Sequence, residues 1–427
     1  MMKPSHSHFS LVFLLIASSL SLTSCSSEDS NDSTCTLDIV CIEDESITEN
    51  VFYIGAPTEI TKKVYMHYLP WFSETATGNH WGDGVVNTPL IGYYDSKAWA
   101  THIYHILLSS LVGIDGAIIN VRTDYDQEAF EAFAQSLKRI EEIYPEFDYS
   151  IGISYDDQDM TEDVARATMI NLKNNVIAQT TKYLHKDSSP VIFIWNYDGY
   201  LTSQDYRDIV NEVFTQTSPT LLQNDLDLTV IANDSAIDSF YPWVKGFSED
   251  GANWGEEYID WFYNTSSDFL LSNKIKFITG AVWPGFDDRQ ASWGQDRWID
   301  RKNGVLYNDM WNKINKNNVN IDWVILETWN DFNEGSELEP IEGDDSYQYI
   351  ELTANNIAAY KNMTPNIDDE QYMFFASVQI YKAAKLIEDG NRNYDTFYPS
   401  LKSAIEKFLQ KKGEESFNLA QEIINNG

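Results

Sequence analysis

The chain has 427 residues and a hydrophobic fraction of 43%, which is enough for one large core or two modest ones. Its 66 Asp and Glu residues outnumber its 29 Lys and Arg residues, so the formal net charge is −37 at pH 7. A field of that sign repels phosphate backbones and argues against nucleic acid as a partner. The sequence contains no GxGxxG, P-loop or HExxH motif, so no cofactor is expected.

The N-terminal segment is predicted to be a targeting signal and a tether. Residues 11–22 form an apolar stretch too short to span a membrane, and the tetrapeptide LTSC ending at Cys25 follows it. This tetrapeptide resembles the lipobox of bacterial lipoproteins, which implies a cleaved signal peptide at 1–24 and a lipid on Cys25. Residues 25–60 then form a tether and lead-in, whose acidic, serine-rich start is similar to export signals of some Gram-negative surface lipoproteins. We expect an outer-membrane lipoprotein, exposed at the cell surface and attached to the membrane only through that lipid.

Eight apolar segments are predicted strands, and amphipathic segments between them are predicted helices. The strands are expected at residues 63–71, 115–121, 148–155, 190–197, 228–233, 243–247, 276–284 and 323–328. The helices are expected at residues 98–112, 127–143, 161–184 and 203–215. This alternation over roughly 300 residues indicates an α/β fold, a (β/α)8 TIM barrel over residues 61–365. Residues 366–427 are predicted to form a small helical appendage, with helices at 369–388, 399–411 and 414–424.

The candidate site lies at the ends of the strands, because the C-terminal ends of barrel strands meet on one face. The eighth strand leads into a loop of acids and aromatics, WNDFNEGSELEP, that contains Asp331 and Glu334. Two carboxyl groups beside aromatic surface suit glycosidic bond cleavage, in which one protonates the leaving oxygen and the other supports charge at the anomeric carbon. The residues predicted to bind substrate are Tyr68, Trp71, His80, Trp81, Asn120, Asp156, Asn196, Trp283, Asp287, Trp329 and Asn330.

Three motifs resemble glycoside hydrolase family 99 and its relatives, which include family 71 α-1,3-glucanases. Residues 68–72 (YLPWF), followed by Asn79-His80-Trp81, are similar to the YYPWY…HW opening of family 99. Residues 281–289 (AVWPGFDDR) are similar to its VGPGYDD segment. Residues 329–340 (WNDFNEGSELEP) resemble its NEWHEG…EP loop. The resemblance implies a barrel fold and glycosidase activity.

By this resemblance, Glu334 matches the general acid/base of family 99. Asp331 matches the carboxylate that assists attack by the sugar's own 2-hydroxyl, a retaining route through an anhydrosugar, and Tyr68 matches a tyrosine in the subsite of the cleaved sugar. Three departures matter: Asp331 is one methylene shorter than the family's Glu, Asn333 replaces a His, and residues 120–122 (NVR) replace a tryptophan-rich segment. The pattern Trp-Asn-Asp is closer to family 71, whose members resemble inverting enzymes, so stereochemistry and mannose specificity both stay open. Within the pair, Glu334 is expected to keep its proton near neutral pH.

Two further functions are weighed against a cell-surface glycoside hydrolase that cuts an α-mannan-like or α-glucan polysaccharide internally. A non-catalytic glycan-binding lipoprotein could present Trp71, Trp81, Trp243, Trp254 and Trp283 to sugar. A domain accessory to polysaccharide synthesis conflicts with the export signal, because nucleotide sugars are cytoplasmic. The two intact carboxyl groups favour the enzyme.

No metal site is expected. The acidic run at 342–345 (EGDD) lacks the ligand periodicity of a calcium loop. Cys35 and Cys41 have no second cysteine pair or histidine beside them. In an oxidising compartment their spacing permits a small disulfide, and the sequence leaves that pairing open.

Overall fold

The computed structural model describes residues 53–54, 62–73, 80–158, 161–195, 200–225, 236–316, 320–343, 346–363, 365–366 and 371–426. Several predictions fall outside these residues: the signal peptide at 1–24, the lipidation site Cys25, most of the tether, the Cys35–Cys41 pair, Asn196 and the predicted strand at 228–233.

Eight parallel strands form the centre of the fold. They are β1 (Lys63–Tyr68), β2 (Gly116–Val121), β3 (Ser150–Asp156), β4 (Ser189–Trp195), β5 (Thr220–Asn224), β6 (Ser239–Tyr241), β7 (Thr279–Val282) and β8 (Trp323–Leu326). Their order in the sheet is β6-β5-β4-β3-β2-β1-β8-β7, so β8 lies between β1 and β7. The predicted (β/α)8 barrel is confirmed, and the end of β8 adjoins the end of β1.

The barrel closes between β6 and β7 through hydroxyl side chains. Ser239 Oγ donates to the carbonyl of Phe277 at 2.6 Å, and Thr279 Oγ1 donates to the carbonyl of Phe240 at 2.7 Å. These bonds give buried carbonyls a partner where the two strands do not form a regular ladder.

The prediction of a strand at 243–247 is wrong, and the strand at 220–224 was not predicted. Residues 243–247 are not a strand, because β6 ends at Tyr241 and Pro242 has no N–H with which to continue a ladder. The fifth barrel strand is Thr220–Asn224, upstream of the predicted segment. Its C-terminal residues Gln223 and Asn224 are polar although they are buried, which weakens the apolar pattern that marks a barrel strand.

Helices cover the outside of the barrel. They are α1 (Trp99–Leu111), α2 (Asp124–Ile143), α3 (Glu162–Asn171), α4 (Ser203–Val213), α5 (Glu256–Leu271), α6 (Val305–Lys316) and α7 (Gln348–Tyr360). The predicted helix at 161–184 is shorter than expected, since a π-helical turn, Leu172–Ile177, follows α3. The short elements are the 3-10 turns His80–Asp83 and Lys302–Gly304 and the strands Tyr53–Ile54, His185–Lys186, Phe286–Asp287, Trp298–Ile299 and Pro365–Asn366.

The predicted C-terminal helices are present as α8 (Gln371–Glu388), α9 (Tyr394–Leu409) and α10 (Gly413–Asn425). Glu388 connects them to the barrel, because its carboxylate accepts from the N–H groups of Trp99 at 2.8 Å and Ala100 at 3.4 Å. A carboxylate at this position stabilises the N-terminus of α1. Within the described ranges, every helix is too short or too polar to cross a bilayer.

Candidate active site

Asp331 and Glu334 lie on the loop after β8 and are joined directly. The backbone N–H of Glu334 donates to Asp331 Oδ1 at 2.9 Å, and the N–H of Asp331 donates to Thr328 Oγ1 at 2.8 Å. Asp331 is only 2% exposed, whereas the Glu334 side chain is 19% exposed. The turn therefore places one carboxyl group at its base and the other at the protein surface.

Asn330 fixes the start of this turn to the end of β1. Its side-chain amide accepts from the Leu69 N–H at 2.8 Å and donates to the Leu69 carbonyl at 2.9 Å. It also donates to the hydroxyl of Tyr94 at 3.1 Å. Asn330 is fully buried, so its hydrogen bonds hold the loop in place and its amide does not face solvent.

A chain of buried polar side chains continues from Tyr94 beneath the loop. The Tyr94 hydroxyl donates to Glu339 Oε2 at 2.8 Å, and His105 Nε2 lies 3.1 Å from Glu339 Oε1. The other nitrogen of His105, Nδ1, lies 3.0 Å from the Tyr68 hydroxyl. This network ties the far end of the loop to α1 and β1.

Arg301 holds the second half of the loop. Its Nη2 atom donates to the carbonyls of Gly335 and Glu337, both at 3.0 Å, and to the Glu337 carboxylate at 2.6 Å. Asn87 Nδ2 donates to the same carboxylate at 2.7 Å. Burial raises the pKa of Glu337, and the charge of Arg301 opposes that rise. The Glu337 carboxyl group is therefore a structural one.

The loop after β7 contacts Glu334 from the other side. The backbone N–H of Asp287 donates to the Glu334 carbonyl at 2.6 Å. Trp293 Nε1 lies 3.5 Å from Glu334 Oε1, and Arg297 Nη2 lies 4.0 Å from the same oxygen. Arg297 is itself bonded through Nε to the buried Asp288 carboxylate at 2.7 Å. Two donors thus face the exposed carboxyl group.

Asp331 and Glu334 differ in the neighbouring groups that shift their pKa values. Burial raises the pKa of Asp331 well above its usual range, and the charges of Glu334 and Glu337 add to that rise. Burial also raises the pKa of Glu334, but Arg297 and the Trp293 indole oppose the rise. Both carboxyl groups therefore favour the protonated form more than a free carboxyl group does, and the expectation that Glu334 keeps the shared proton stays a prediction.

An aromatic rim borders Glu334. Trp71 and His80 are stacked with ring centroids 4.7 Å apart and an angle of 23°. Trp293 presents its ring edge-on to both, at 6.4 Å from Trp71 and 5.2 Å from His80. Trp71 is partly exposed and Trp293 is 38% exposed, so ring surface faces solvent beside the carboxyl group.

Asn120 and Asp156 meet where β2 and β3 end. Asn120 Nδ2 donates to Asp156 Oδ2 at 3.4 Å, and the Gln158 N–H donates to Asp156 Oδ1 at 3.1 Å. Burial raises the pKa of Asp156 to about 6. The structure thus brings together two predicted substrate-binding residues, both nearly buried.

A buried contact between a histidine and a carboxyl group lies under the mouth of the barrel. His67 Nδ1 is 3.2 Å from Glu327 Oε2, and both side chains are fully buried. Burial raises the pKa of Glu327, and His67 opposes the rise. The His67 ring contacts Trp243 edge-on at 4.9 Å, and Trp243 is partly exposed. This pair supports the floor of the barrel mouth.

Five predicted substrate-binding residues lie below the surface. Tyr68, Trp283, Trp329 and Asn330 are 0% exposed, and Trp81 is 9% exposed. Trp81 stacks on Phe72 at 3.8 Å and donates through Nε1 to the Tyr94 carbonyl at 2.8 Å. Their rings and amide pack among the loops, and their predicted role in substrate binding stays a prediction.

Asp287 contacts Glu334 through its backbone, whereas Trp71 and His80 are connected to Glu334 through the ring of Trp293, and the Asp287 carboxylate is engaged by Arg289. The Arg289 guanidinium donates to it through Nε at 2.8 Å and Nη2 at 2.6 Å, and this lowers the pKa of Asp287. The donors Trp293, Arg297 and Arg301 were missed by the sequence reasoning. They follow the end of the 281–289 motif by 4, 8 and 12 positions, and that proximity was the signal available.

Among the described residues, no group of three His, Cys, Asp or Glu side chains is arranged to hold a metal ion. The acids of the β8 loop instead bond to protein donors: Asp331 to the Glu334 N–H, Glu337 to Arg301 and Glu339 to Tyr94. Two residues of the 342–345 run, 344 and 345, lie outside the described part of the chain.

Solved structures share this fold. A family 99 (GH99) endo-α-mannosidase from Bacteroides thetaiotaomicron, in complex with BIS-TRIS-propane, has a TM-score of 0.58 at 14% identity and covers 71% of this chain and 99% of its own. A second structure of the Bacteroides thetaiotaomicron GH99 endo-α-mannosidase has a TM-score of 0.57 at 12% identity, over 70% and 97% of the two chains. A glycoside hydrolase-like protein has a TM-score of 0.54 at 14% identity, over 74% and 97%. No protein-family model and no curated protein matches the sequence. The expected likeness to a family 99 fold is confirmed, and at these identities it concerns the fold alone.

Proposed function

We propose that this protein is a glycoside hydrolase in which Asp331 and Glu334 are the reacting carboxyl groups. The observation that carries the proposal is the 2.9 Å bond from the Glu334 N–H to Asp331, on a loop that presents Glu334 beside the exposed ring of Trp293. This loop follows β8 at the C-terminal face, where barrel enzymes hold their active sites. Paired carboxyl groups beside flat apolar surface suit cleavage of a bond between two sugars.

The positions of the two acids assign them different tasks. Glu334 is partly exposed and can reach a leaving oxygen, so it acts as general acid and then as general base. Asp331 lies deeper and takes the proton of the attacking hydroxyl. That hydroxyl belongs to the sugar itself in a retaining route and to water in an inverting one, and both remain open. A pair that shares one proton can supply the acid and the base together.

The substrate is proposed from the likeness in fold. The solved structures from Bacteroides thetaiotaomicron are endo-α-mannosidases, so the reaction we propose first is internal cleavage of an α-mannan-like polysaccharide. An α-glucan is the next candidate, because the Trp-Asn-Asp pattern at 329–331 is closer to family 71. Either polymer is uncharged and can approach a protein with a formal net charge of −37.

A non-catalytic glycan-binding protein is the second candidate, and the burial of Asp331 favours it. A carboxyl group that is 2% exposed and bonded to the backbone N–H of Glu334 is well placed to hold a loop. Such a protein would still present Trp71 and Trp293 to sugar. The two candidates differ in one observable, which is whether a bound glycan is cut.

The proposed location is the cell surface, with a lipid on Cys25. This proposal rests on the LTSC tetrapeptide and the acidic segment after it. Growth of the producing cells with a radiolabelled fatty acid should label the wild-type protein and should not label Cys25→Ala. Equal labelling of both proteins would remove Cys25 as the attachment site.

The test of the function is a panel of α-mannans, α-glucans and their oligosaccharides incubated with the purified protein. Products are followed by mass spectrometry and by proton NMR of the new anomeric centre. Internal cleavage yields a series of oligosaccharides, and the first anomer formed distinguishes retention from inversion. Binding without any product would support the second candidate.

A further inference from the structure

We propose that Trp293 has two roles: its indole N–H positions the Glu334 carboxyl group, and its ring completes a stacking platform for the sugar on the leaving-group side of the cleaved bond. This inference rests on the proposed function and deepens it. The substrates it assigns are oligosaccharides with at least one uncharged pyranose on the leaving-group side of the cleaved bond.

The first role follows from the donors around Glu334. Trp293 Nε1 is 3.5 Å from Glu334 Oε1, closer than Arg297 Nη2 at 4.0 Å. Arg297 is bonded to the buried Asp288, because the Asp288 carboxylate accepts from the backbone N–H and from the Nε of Arg297, both at 2.7 Å. The indole is therefore the side-chain donor best placed to orient Glu334. A catalytic hydrogen bond that is long without substrate commonly shortens when substrate binds.

The turn that carries Trp293 is held on both sides, so the indole is pre-organised. The N–H of Ser292 donates to the Asp83 carbonyl at 2.7 Å, which fixes the turn to the loop after β1. On the other side, a Cβ atom on Gly294 would lie 1.8 Å from the Asp288 carbonyl oxygen. Only glycine permits that approach, and the tight turn it allows points the indole at a carboxyl group 41 positions away in sequence.

The second role follows from the rings. Trp71 and His80 form one flat stack, and Trp293 stands at 73° and 76° to them, so the three rings make a corner beside Glu334. Burial lowers the pKa of His80, so its ring is neutral near pH 7 and adds no positive charge to the corner. Flat, partly exposed rings with a few polar atoms at their edge suit the apolar face of a pyranose.

The chemistry of Glu334 places this corner on the leaving-group side. The acid that protonates the leaving oxygen lies next to the sugar that departs, and here that sugar would rest against Trp293. The carboxylate of Asp83, which lies 3.8 Å from His80 Nδ1, disfavours an anionic sugar at this position. A monosaccharide linked to a small leaving group would leave the corner empty.

Fluorine NMR of protein labelled with 5-fluorotryptophan tests the positioning role without any glycan. Trp293→Phe identifies the Trp293 signal by its loss, and Trp261, 41% exposed on α5, supplies a control signal. We expect the Trp293 shift to follow a titration that is absent in Glu334→Gln. An unchanged titration of that signal in Glu334→Gln would overturn the positioning role.

Calorimetry with α-mannan oligosaccharides as the probe tests the stacking role. It is done in the Glu334→Gln background, where turnover should be at least about 10²-fold slower. Trp293→Ala should weaken binding by about tenfold, Trp293→Phe by about threefold or less, and the control Trp261→Phe should not change it. Equal affinity of the Trp293→Ala and parent proteins would overturn the stacking role. If the wild-type protein neither binds nor cuts any glycan of the panel, the proposed function fails instead, and the fluorine titration still decides the positioning role.

Discussion

The backbone N–H of Glu334 donates to Asp331 Oδ1 at 2.9 Å, so the main chain as well as electrostatics couples the two acids. Removing charge from either one changes the environment of the other. Burial raises the pKa of both, and Arg297 and Trp293 oppose the rise only at Glu334. This asymmetry underlies the predictions about activity.

Glu334→Gln and Asp331→Asn should each lower turnover of a cleaved glycan by about 10²-fold or more, the scale of help from a positioned acid or base. The Gln side chain cannot give up a proton to the leaving oxygen, and the Asn side chain cannot take one from the attacking hydroxyl. Initial rates on the best substrate of the panel measure the effect. Glu342→Gln, at an exposed position in the same segment, is the control and should keep wild-type turnover. Wild-type rates in both Glu334→Gln and Asp331→Asn would remove the pair from the mechanism.

Arg301→Ala should destabilise the protein by about 3–5 kcal/mol at pH 7, because it leaves the buried Glu337 carboxylate without its cation. The loss should shrink as the pH falls, since Glu337 can then bind a proton. Urea unfolding at pH 7 and pH 5 measures both effects. Arg289→Ala breaks a more exposed pair with Asp287 and should cost about 0–1 kcal/mol. A cost of that small size for Arg301→Ala would show that the loop does not depend on this ion pair.

Asp156 should make the folded state less stable as the pH rises. Its pKa is raised from 3.8 to about 6 by burial, so the folded protein holds this proton more tightly than the unfolded chain does. Its contribution to the free energy of unfolding is therefore fully present below the unfolded pKa and is lost as the pH rises through the folded pKa, by about 3 kcal/mol in all between about pH 3 and pH 7.

Asp156→Asn removes this dependence. The variant should gain stability relative to wild type as the pH rises from 4 to 7, measured by urea unfolding at several pH values. Asp163→Asn, at a side chain that is 98% exposed, is the control and should stay within about 0.5 kcal/mol of wild type. A stability difference between Asp156→Asn and wild type that is the same at pH 4 and pH 7 would contradict this account of Asp156.

Gly335→Ala should lower both stability and turnover. Gly335 follows Glu334 directly and has a φ of +59°, and an added Cβ would lie 3.0 Å from Val86 Cγ2 and 3.1 Å from Asp287 Cβ. Gly92→Ala is the matched control, because Gly92 has a φ of +76° but nothing within 4 Å of the added atom. Both variants should lose about 1–2 kcal/mol from backbone strain. Only Gly335→Ala should also lose activity, because it displaces the turn that carries Asp331 and Glu334.

Strands buried on both faces were predictable from continuous apolar residues. Strands β2, β4 and β8 consist mostly of apolar residues, and their predicted positions agree with the structure to within two residues. The short β6 did not, because it has three residues, one of them a serine whose hydroxyl helps to close the barrel. The prediction of strands from apolar residues assumes that buried strands carry apolar side chains. It therefore misses a strand whose serine hydroxyl closes the barrel.

The carboxyl pair was predictable because both acids follow directly after an apolar strand. Which aromatic rings reach the surface was not. Trp329 and Trp283 flank the site in sequence but are fully buried, whereas Trp293 is 38% exposed and reaches Glu334 across two loops. A tryptophan serves equally well in a core or on a surface, and only the path of the chain decides between them. The role of Arg301 could not be predicted for the same reason, because its three acceptors belong to the loop after β8, which is distant in sequence.

The most direct test of the central claim compares wild type with Glu334→Gln on the same α-linked polysaccharide, with products followed by mass spectrometry and anomeric NMR. The account predicts a series of oligosaccharide products from the wild-type protein and almost none from Glu334→Gln, while both proteins bind the polysaccharide. Products formed equally by both proteins, or binding by the wild type with no product at all, would contradict it.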